Sequence, residues 1–172
     1  EALSPIQRSA RMLYLNRTCF NGLYRVNKQG RFNVPFGRYS NPTICDADGL
    51  RAASAVLLGR PIFQVAYDAA VSGAKAGDFV YFDPPYHPVS TTSRFTQYTR
   101  YGFRAENQRE LADVFADLTR RGVSCMLTNS DCEFVRELYA GYEIDRVEVA
   151  RSISRAANRR GRVGELIIRN YT

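Results

Sequence analysis

The pattern of apolar and polar positions divides the chain into a helical start, an irregular stretch and a longer part in which helices and strands alternate. Ser4 as an N-cap and Pro5 at the first helical position predict a helix over residues 4–14. Residues 16–42 are rich in Asn, Gly, Arg and aromatic side chains and lack a helical period, which predicts hairpins and loops.

The longer carboxyl-terminal part carries the signals of an α/β fold. In chain order the spacing predicts a helix over residues 46–58, strands over 62–66 and 78–82, a helix over 105–121, a strand over 123–127, a helix opened by residues 128–131, and strands over 142–149 and 163–169. The strand, helix and strand between residues 78 and 127 predict a βαβ unit, and the last two strands predict a closing hairpin. Residues 90–101 have no apolar period and predict a mobile loop, which either closes over a substrate or is a solvated connector.

The charge balance agrees with a nucleic-acid partner. The net charge is +7, and of the 24 basic residues only Lys28 and Lys75 are not Arg, whose guanidinium forks onto phosphates and guanine edges. A basic surface attracts phosphate without specificity, so the composition alone also fits a well-solvated surface. We expect an intracellular protein without a membrane partner, because the sequence has neither a long apolar stretch nor a signal-peptide layout. The cysteine spacing and a lone His87 favour reduced thiols over a metal site.

The chemically informative motif, DPPY, directly follows the apolar run at residues 79–82 and consists of Asp83, Pro84, Pro85 and Tyr86. Proline cannot continue a sheet ladder, so the strand must stop and leave Asp83 at the carboxyl edge, where open α/β sheets bind ligands. The alternative is a strand-terminating turn with a capping Asp, which a bare Asp-Pro pair would favour.

These four residues resemble the catalytic motif of amino-methyltransferases that use S-adenosylmethionine, in particular the DNA N6-adenine class. An adenine amine is a poor nucleophile because its lone pair is delocalised into the ring, so two acceptors must hold its N–H groups out of the ring plane. The resemblance implies that these acceptors are the Asp83 carboxylate and the Pro84 carbonyl, whose direction is fixed by proline rigidity. Tyr86 would offer a flat surface to a base extruded from the duplex.

The resemblance extends over about residues 8–171 to the family of Dam-type DNA adenine methyltransferases. It rests on six separate runs: YLNR at 14–17, FNGLYRVN at 20–27, FNVPFGRY at 32–39, RFTQY at 94–98, RSIS at 151–154 and ELIIRNY at 165–171. The family implies a Rossmann-like methyltransferase fold, incomplete here at its N-terminus, with a small hairpin-containing recognition region. Residues 1–15 would lead into the target-recognition segment at 16–45, and residues 46–172 would form the carboxyl-terminal part of the catalytic domain.

The recognition segment supplies most of the contacts to double-stranded DNA that the resemblance implies. Arg25 would fork onto a guanine edge, and Leu23 and Pro35 would contact a thymine methyl group, with packing in the hairpin core as the alternative for these two residues. Phe20 would wedge into the stack beside the flipped adenine, with hairpin packing as the alternative. Other residues expected near DNA are Arg17, Asn21, Asn33 and Arg38 in the hairpin and Arg94 and Tyr98 in the loop. Since Leu23, Arg25 and Pro35 agree with family members that read GATC, the resemblance implies GATC as the target.

S-adenosylmethionine is the cofactor that the resemblance implies, and Asp83 and Tyr67 are the residues expected to contact it. Tyr67 could equally be a core residue. Family members carry a Gly-rich loop for this cofactor before the recognition region, but the sequence has no Gly-x-Gly. We therefore expect the chain to be a carboxyl-terminal fragment or to be completed by another chain, with apolar edge surface exposed where the sheet is incomplete.

Two other classes of function stay open on the sequence. An amino-methyltransferase that acts on cytosine N4, RNA or a protein amide could use a similar pair of acceptors. A DNA-binding protein could also keep the hairpin without binding a cofactor. For the enzyme, extrusion of adenine onto Tyr86 is expected to precede alignment of its amine by Asp83 and Pro84.

Overall fold

The computed structural model describes residues 3–89, 103–150 and 162–172. The chain divides into two compact units, Glu1–Ile62 and Phe63–Thr172. The loop predicted over residues 90–101, with Arg94 and Tyr98, and the RSIS run at 151–154 lie outside the described residues. No helix in the described ranges is long and apolar enough to span a membrane.

The helices of the first unit begin where their caps predict. Helix α1 (Pro5–Thr18) has a capping box, in which the Ser4 hydroxyl accepts from the Gln7 N–H and the Gln7 side chain accepts from the Ser4 N–H. Helix α2 (Ala47–Leu57) begins after Asp46, whose carboxylate accepts from a first-turn N–H. Both predicted helices are confirmed, and α1 continues beyond its predicted end.

Between these helices the chain is held by isolated bridges and turns. A short 3-10 helix (Phe20–Gly22) begins directly after Cys19. Two antiparallel bridges pair Cys19 with Phe36 and Val26 with Phe32. Asn27 shapes the turn, because its side-chain oxygen accepts from the N–H groups of Gln29 and Arg31, both at 3.0 Å. The prediction of hairpins and loops for this stretch is confirmed.

The second unit is built on a four-stranded mixed sheet in the order β1-β2-β4-β3. The strands are β1 (Phe79–Phe82), β2 (Ser124–Ser130), β3 (Glu143–Ala150) and β4 (Arg162–Arg169). Strands β1 and β2 are parallel, and β4 pairs antiparallel with both β2 and β3. The predicted βαβ unit and closing hairpin are therefore confirmed, within a mixed α/β architecture.

Helix α4 (Ala105–Arg120) connects the two parallel strands and covers the core. It stops before Gly122, whose φ of +76° suits glycine at a helix end. The helix buries Leu111, Phe115 and Leu118 against alternate residues of the sheet. The sheet residues buried in this core are Phe82 of β1, Cys125 and Leu127 of β2, and Leu166 and Ile168 of β4. The period-2 alternation in β2 and β4 thus selects one apolar face for the helix.

One predicted strand and the start of one predicted helix are wrong. Residues 62–66 form no strand, and Phe63 is 75% exposed; the next element is a short helix, α3 (Tyr67–Val71). An apolar run becomes a strand only when another strand accepts its hydrogen bonds, and no described strand pairs with this run. Residues 128–131 do not open a helix either, because Thr128 to Ser130 extend β2 by pairing with β4, and helix α5 (Glu133–Leu138) begins later.

Candidate active site and recognition segment

The strand register places Asp83 beside Thr128. Phe82, the last residue of β1, pairs with Leu127 of β2, so the next residues of the two parallel strands are neighbours at the carboxyl edge. Thr128 Oγ1 donates to Asp83 Oδ1 at 3.1 Å. The Tyr81 hydroxyl lies 3.1 Å from Thr128 Oγ1 and must be the donor, since the single Thr hydrogen is directed at Asp83. The carboxylate is thereby oriented, while Asp83 Oδ2 has no hydrogen-bond partner among the described residues.

The backbone after Asp83 presents one free and one occupied carbonyl. The Pro84 carbonyl accepts no hydrogen bond from the described part of the chain. The Pro85 carbonyl accepts from Nε2 of Gln108, a buried residue of α4, at 2.9 Å. The exposed Asp83 carboxylate and the adjacent Pro84 carbonyl therefore offer two acceptors at the same edge of the sheet.

Tyr86 is half-buried and is anchored through its hydroxyl. That hydroxyl donates to Glu165 Oε2 on β4 at 3.3 Å. Burial raises the pKa of Tyr86 to about 12; the Thr128 hydroxyl works against this rise, and the negative charges of Glu165 and Asp83 add to it. The phenol is therefore neutral at physiological pH and keeps its proton for the bond to Glu165.

Tyr67, the other residue expected at a cofactor, begins helix α3. It is half-buried against the core, and its ring meets Phe103 edge-on with centroids 6.3 Å apart. Burial raises the pKa of its hydroxyl, and the charges of Glu110 and Asp68 add to this effect. This packing is what a core tyrosine would show as well, so the contact with a cofactor stays a prediction.

In the first unit, the structure brings several predicted DNA-contacting residues together. Arg25 Nε donates to Asn33 Oδ1 and Arg25 Nη2 donates to the Asn33 carbonyl, each at 2.9 Å. The N–H of Phe20 donates to the carbonyl of Pro35 at 2.9 Å. A guanidinium has five N–H donors, so these bonds orient Arg25 and still leave donors for a base edge.

The remaining predicted recognition residues are at the surface of this unit. Phe20 is 50% exposed, whereas Leu23 is half-buried. The others that are exposed are Arg17, Asn21, Pro35 and Arg38. Asn21 has a left-handed backbone (φ 54°), a conformation in which Asn is one of the few tolerated residues. Their contacts with DNA stay predictions.

Among the side chains that hold the DPPY turn and the adjoining His87, sequence reasoning missed Thr128, Glu165, Gln108 and Asn129. The sequence did carry a signal for Thr128 and Asn129. Thr128 and Asn129 follow an apolar run in the second strand of a βαβ unit, and parallel strands end at the same edge. Gln108 and Glu165 gave no such signal, because a polar residue in an amphipathic helix or strand ordinarily faces water.

A mixed α/β sheet with these groups at the carboxyl edge of β1 is consistent with a methyltransferase. Residues 1–153 match the D12 class N6 adenine-specific DNA methyltransferase family. The chain belongs to this family, which confirms the resemblance found in its sequence.

Several relatives agree with this assignment. The chain is 43% identical over 173 residues to the Type II methyltransferase M1.LlaDCHI of Lactococcus lactis subsp. cremoris, covering 99% of this chain and 61% of the relative. It is 43% identical over 168 residues to the Type II methyltransferase M.MjaIII of Methanocaldococcus jannaschii, in a match that covers 96% of this chain and 58% of the relative. It is 39% identical over 165 residues to the DNA adenine methylase of Escherichia coli strain K12, in a match that covers 95% of this chain and 58% of the relative. The chain thus spans 58% to 61% of the length of these relatives.

Proposed function

We propose that the protein containing this chain is an S-adenosylmethionine-dependent DNA adenine N6-methyltransferase that acts on a flipped adenine, with GATC as its target. Membership of the D12 class supports the reaction type. The observation that carries the assignment to specific residues is the pair of unoccupied acceptors, Asp83 Oδ2 and the Pro84 carbonyl, at the carboxyl edge of β1. On this proposal the mixed sheet is part of a Rossmann-like methyltransferase fold.

The chemistry required of the chain is alignment of an aromatic amine. One N–H of the adenine N6 group donates to the Asp83 carboxylate and the other donates to the Pro84 carbonyl, which turns the nitrogen lone pair out of the ring plane. Thr128 donates to Oδ1 of the same carboxylate and so restricts its rotation. Bound S-adenosylmethionine supplies the electrophilic methyl group. Positioning of the amine provides most of the acceleration, and the extra proton on nitrogen can leave after transfer.

Tyr86 is the proposed platform for the extruded base. Removal of a base from the duplex costs a few kcal/mol, and stacking on an aromatic ring recovers part of that cost. The hydrogen bond to Glu165 restricts the ring of Tyr86, so less side-chain entropy remains to be lost when a base binds.

The described residues fit part of an S-adenosylmethionine site. Asp83 has a free carboxylate oxygen that could accept from the ammonium group of the cofactor, and a carboxylate can accept several hydrogen bonds at once. Tyr67 lies in the same unit and could contact the cofactor with the edge of its half-buried ring.

The recognition segment would select the sequence around the adenine. The Arg25 guanidinium is oriented by Asn33, which favours a forked contact to one guanine. The exposed Phe20 could fill the space beside the displaced base. Pro35, whose carbonyl accepts from the Phe20 N–H, is also exposed and could contact a thymine methyl group. The net charge of +7 would add sequence-independent attraction to phosphate.

The test of the catalytic assignment is Asp83→Ala in the protein that contains this chain. Mass spectrometry of digested DNA should find N6-methyladenine with the wild type and none with the variant, while the Kd for duplex DNA changes little. Asp113→Ala is the matched control, because it removes an exposed carboxylate from α4. Normal turnover by the Asp83 variant would refute the assignment.

Calorimetric titration with S-adenosylmethionine, alone and with a GATC duplex, tests the cofactor and the target. We expect the binding of S-adenosylmethionine to release heat, and this heat to be larger when the GATC duplex is present. GATC-selective DNA binding without any cofactor binding would favour a DNA-binding function for this chain. N4-methylcytosine in the digested DNA would instead identify a different amino-methyltransferase.

A further inference from the structure

The DPPY turn cannot satisfy its own hydrogen bonds. Pro84, Pro85 and Pro88 have no N–H, so among residues 83–88 only Asp83, Tyr86 and His87 can donate from the backbone. A turn with so few donors adopts one conformation only if neighbouring elements supply partners for its carbonyls and remaining N–H groups. The structure supplies these partners from buried side chains of β2 and α4.

We propose that Gln108 and Asn129 are positioning residues, which lock the DPPY turn through a buried pair of amides. This inference rests on the proposed function, because the turn is the one assigned to bind the adenine amine. Gln108 Nε2 donates to the Pro85 carbonyl at 2.9 Å, and Asn129 Nδ2 donates to Gln108 Oε1 at 3.0 Å. Asn129 Oδ1 accepts from the N–H of His87 at 2.9 Å.

The orientation of both amides is fixed by this network. Asn129 Oδ1 also accepts from the N–H of Ser130 at 2.9 Å, so two donors face that atom and it must be the oxygen. The NH₂ group of Asn129 then faces Gln108 and must meet the oxygen of that side chain. The NH₂ group of Gln108 is left for the Pro85 carbonyl. One arrangement therefore satisfies every contact. A flip of either amide would place a donor against a donor or an acceptor against an acceptor.

Burial makes the hydrogen bonds of the Gln108 and Asn129 amides hard to break. Gln108 and Asn129 are both 0% exposed, which is uncommon for amides and excludes water as a substitute partner. A buried polar group that loses its partner keeps its desolvation penalty, so the turn cannot release one bond without leaving others unpaired.

The lock fixes the two functional groups of the turn. Tyr86 lies between two restrained peptide groups, the carbonyl of Pro85 and the N–H of His87, and Ser130 Oγ donates to the His87 carbonyl at 2.6 Å. The free Pro84 carbonyl is one peptide away from the restrained one, and the proline ring at 85 limits rotation between them. Gln108 and Asn129 thus aim the acceptor and the platform without touching the substrate.

The test is Gln108→Leu in the protein that contains this chain, with Leu118→Ala as the control. Leu118 is buried on the same helix about 15 Å along the axis from Gln108, at roughly 1.5 Å per residue, so its loss weakens the core without reaching the turn. Both variants are compared at a temperature at which each is fully folded by circular dichroism.

The first measurement is hydrogen exchange of the His87 amide. Exchange should be about tenfold faster in Gln108→Leu, while the amide of Leu127 keeps its protection. Leu118→Ala should change the two amides to the same extent. Unchanged exchange at His87 in the Gln108 variant would overturn the proposal that the two amides restrain the turn, whether or not the protein methylates DNA.

The second measurement is single-turnover methyl transfer to unmethylated plasmid DNA. We expect a rate about tenfold to a hundredfold lower in Gln108→Leu, with the Kd for DNA within about twofold, because misplacement of a bound amine slows the step and spares binding. Leu118→Ala should keep the wild-type rate. An equal rate in Gln108→Leu would refute the positioning role. Absence of methylation by the wild type itself would count against the proposed function, and His87 exchange would still decide the lock.

Discussion

Replacement of Thr128 by Val removes the hydroxyl that donates to Oδ1 of the Asp83 carboxylate. The two side chains are similar in shape and both suit a strand, so β2 should keep its pairing with β1 and β4. The variant loses the 3.1 Å bond from Thr128 Oγ1 to Asp83 Oδ1 and the contact of that oxygen with the Tyr81 hydroxyl. The carboxylate then has no partner among the described residues that fixes its rotation.

The expected magnitude follows from the exposure of the site. A hydrogen bond to a charged group contributes about 1.5–3 kcal/mol. Asp83 is exposed and water can replace part of the lost bond, so we take the lower end, about 1.5 kcal/mol. Since about 1.4 kcal/mol corresponds to a factor of ten in rate, the methyl-transfer step should slow by roughly tenfold.

The assay is single-turnover transfer from labelled S-adenosylmethionine to a GATC duplex, with the Kd for the duplex measured in parallel. Thr128→Ser keeps the hydroxyl and should stay near the wild-type rate. Tyr81→Phe keeps the bond to Asp83 and should slow transfer less than Thr128→Val. A Thr128→Val rate within about twofold of wild type, at equal DNA affinity, would show that Asp83 needs no orientation from β2 and would refute the reasoning.

Three further predictions concern stability and target choice. Tyr139 is fully buried, and its hydroxyl has no partner among the described residues, so Tyr139→Phe should raise the free energy of unfolding in urea by about 1 kcal/mol; a loss of stability would contradict the absence of a partner. Hydrogen bonds from Arg136 and Arg146 lower the pKa of Asp131, so its contribution to stability is present above the unfolded-state pKa and is lost as the pH falls through the folded-state value. The stability difference between wild type and Asp131→Asn should therefore shrink below about pH 4, and a difference independent of pH would refute this. Arg25→Ala should reduce the preference for GATC over altered sites, whereas Arg51→Ala, which removes the same charge from α2, should leave that preference unchanged. Competition binding measures the preference, and an equal preference in the two variants would contradict the role of Arg25.

The recognition segment was predictable in position and not in detail. Its turn residues and lack of a helical period predicted hairpins and loops between α1 and α2. The pairing of Arg25 with Asn33 across the hairpin could not be obtained from the pattern, because either side chain could have faced solvent instead. The roles assigned to these residues came from family resemblance and stay predictions.

The sequence by itself determined the features that depend on neighbouring residues. Ser4, Asp46 and Gly122 set helix ends through their own backbone preferences and capping atoms. Two prolines ended β1 and left Asp83 at the carboxyl edge, because proline has no N–H for the ladder. The βαβ unit followed from the change of apolar period along the chain.

Only the tertiary structure decided which distant groups meet the DPPY turn. Thr128 lies 45 residues from Asp83, and Glu165 lies 79 residues from Tyr86. The same long-range pairing turned residues 128–130 into the end of β2, although their side chains favour a helix cap. A local pattern records the preference of a segment, whereas hydrogen bonds between strands depend on which partner the folded chain provides, and that partner decided both the strand and the site.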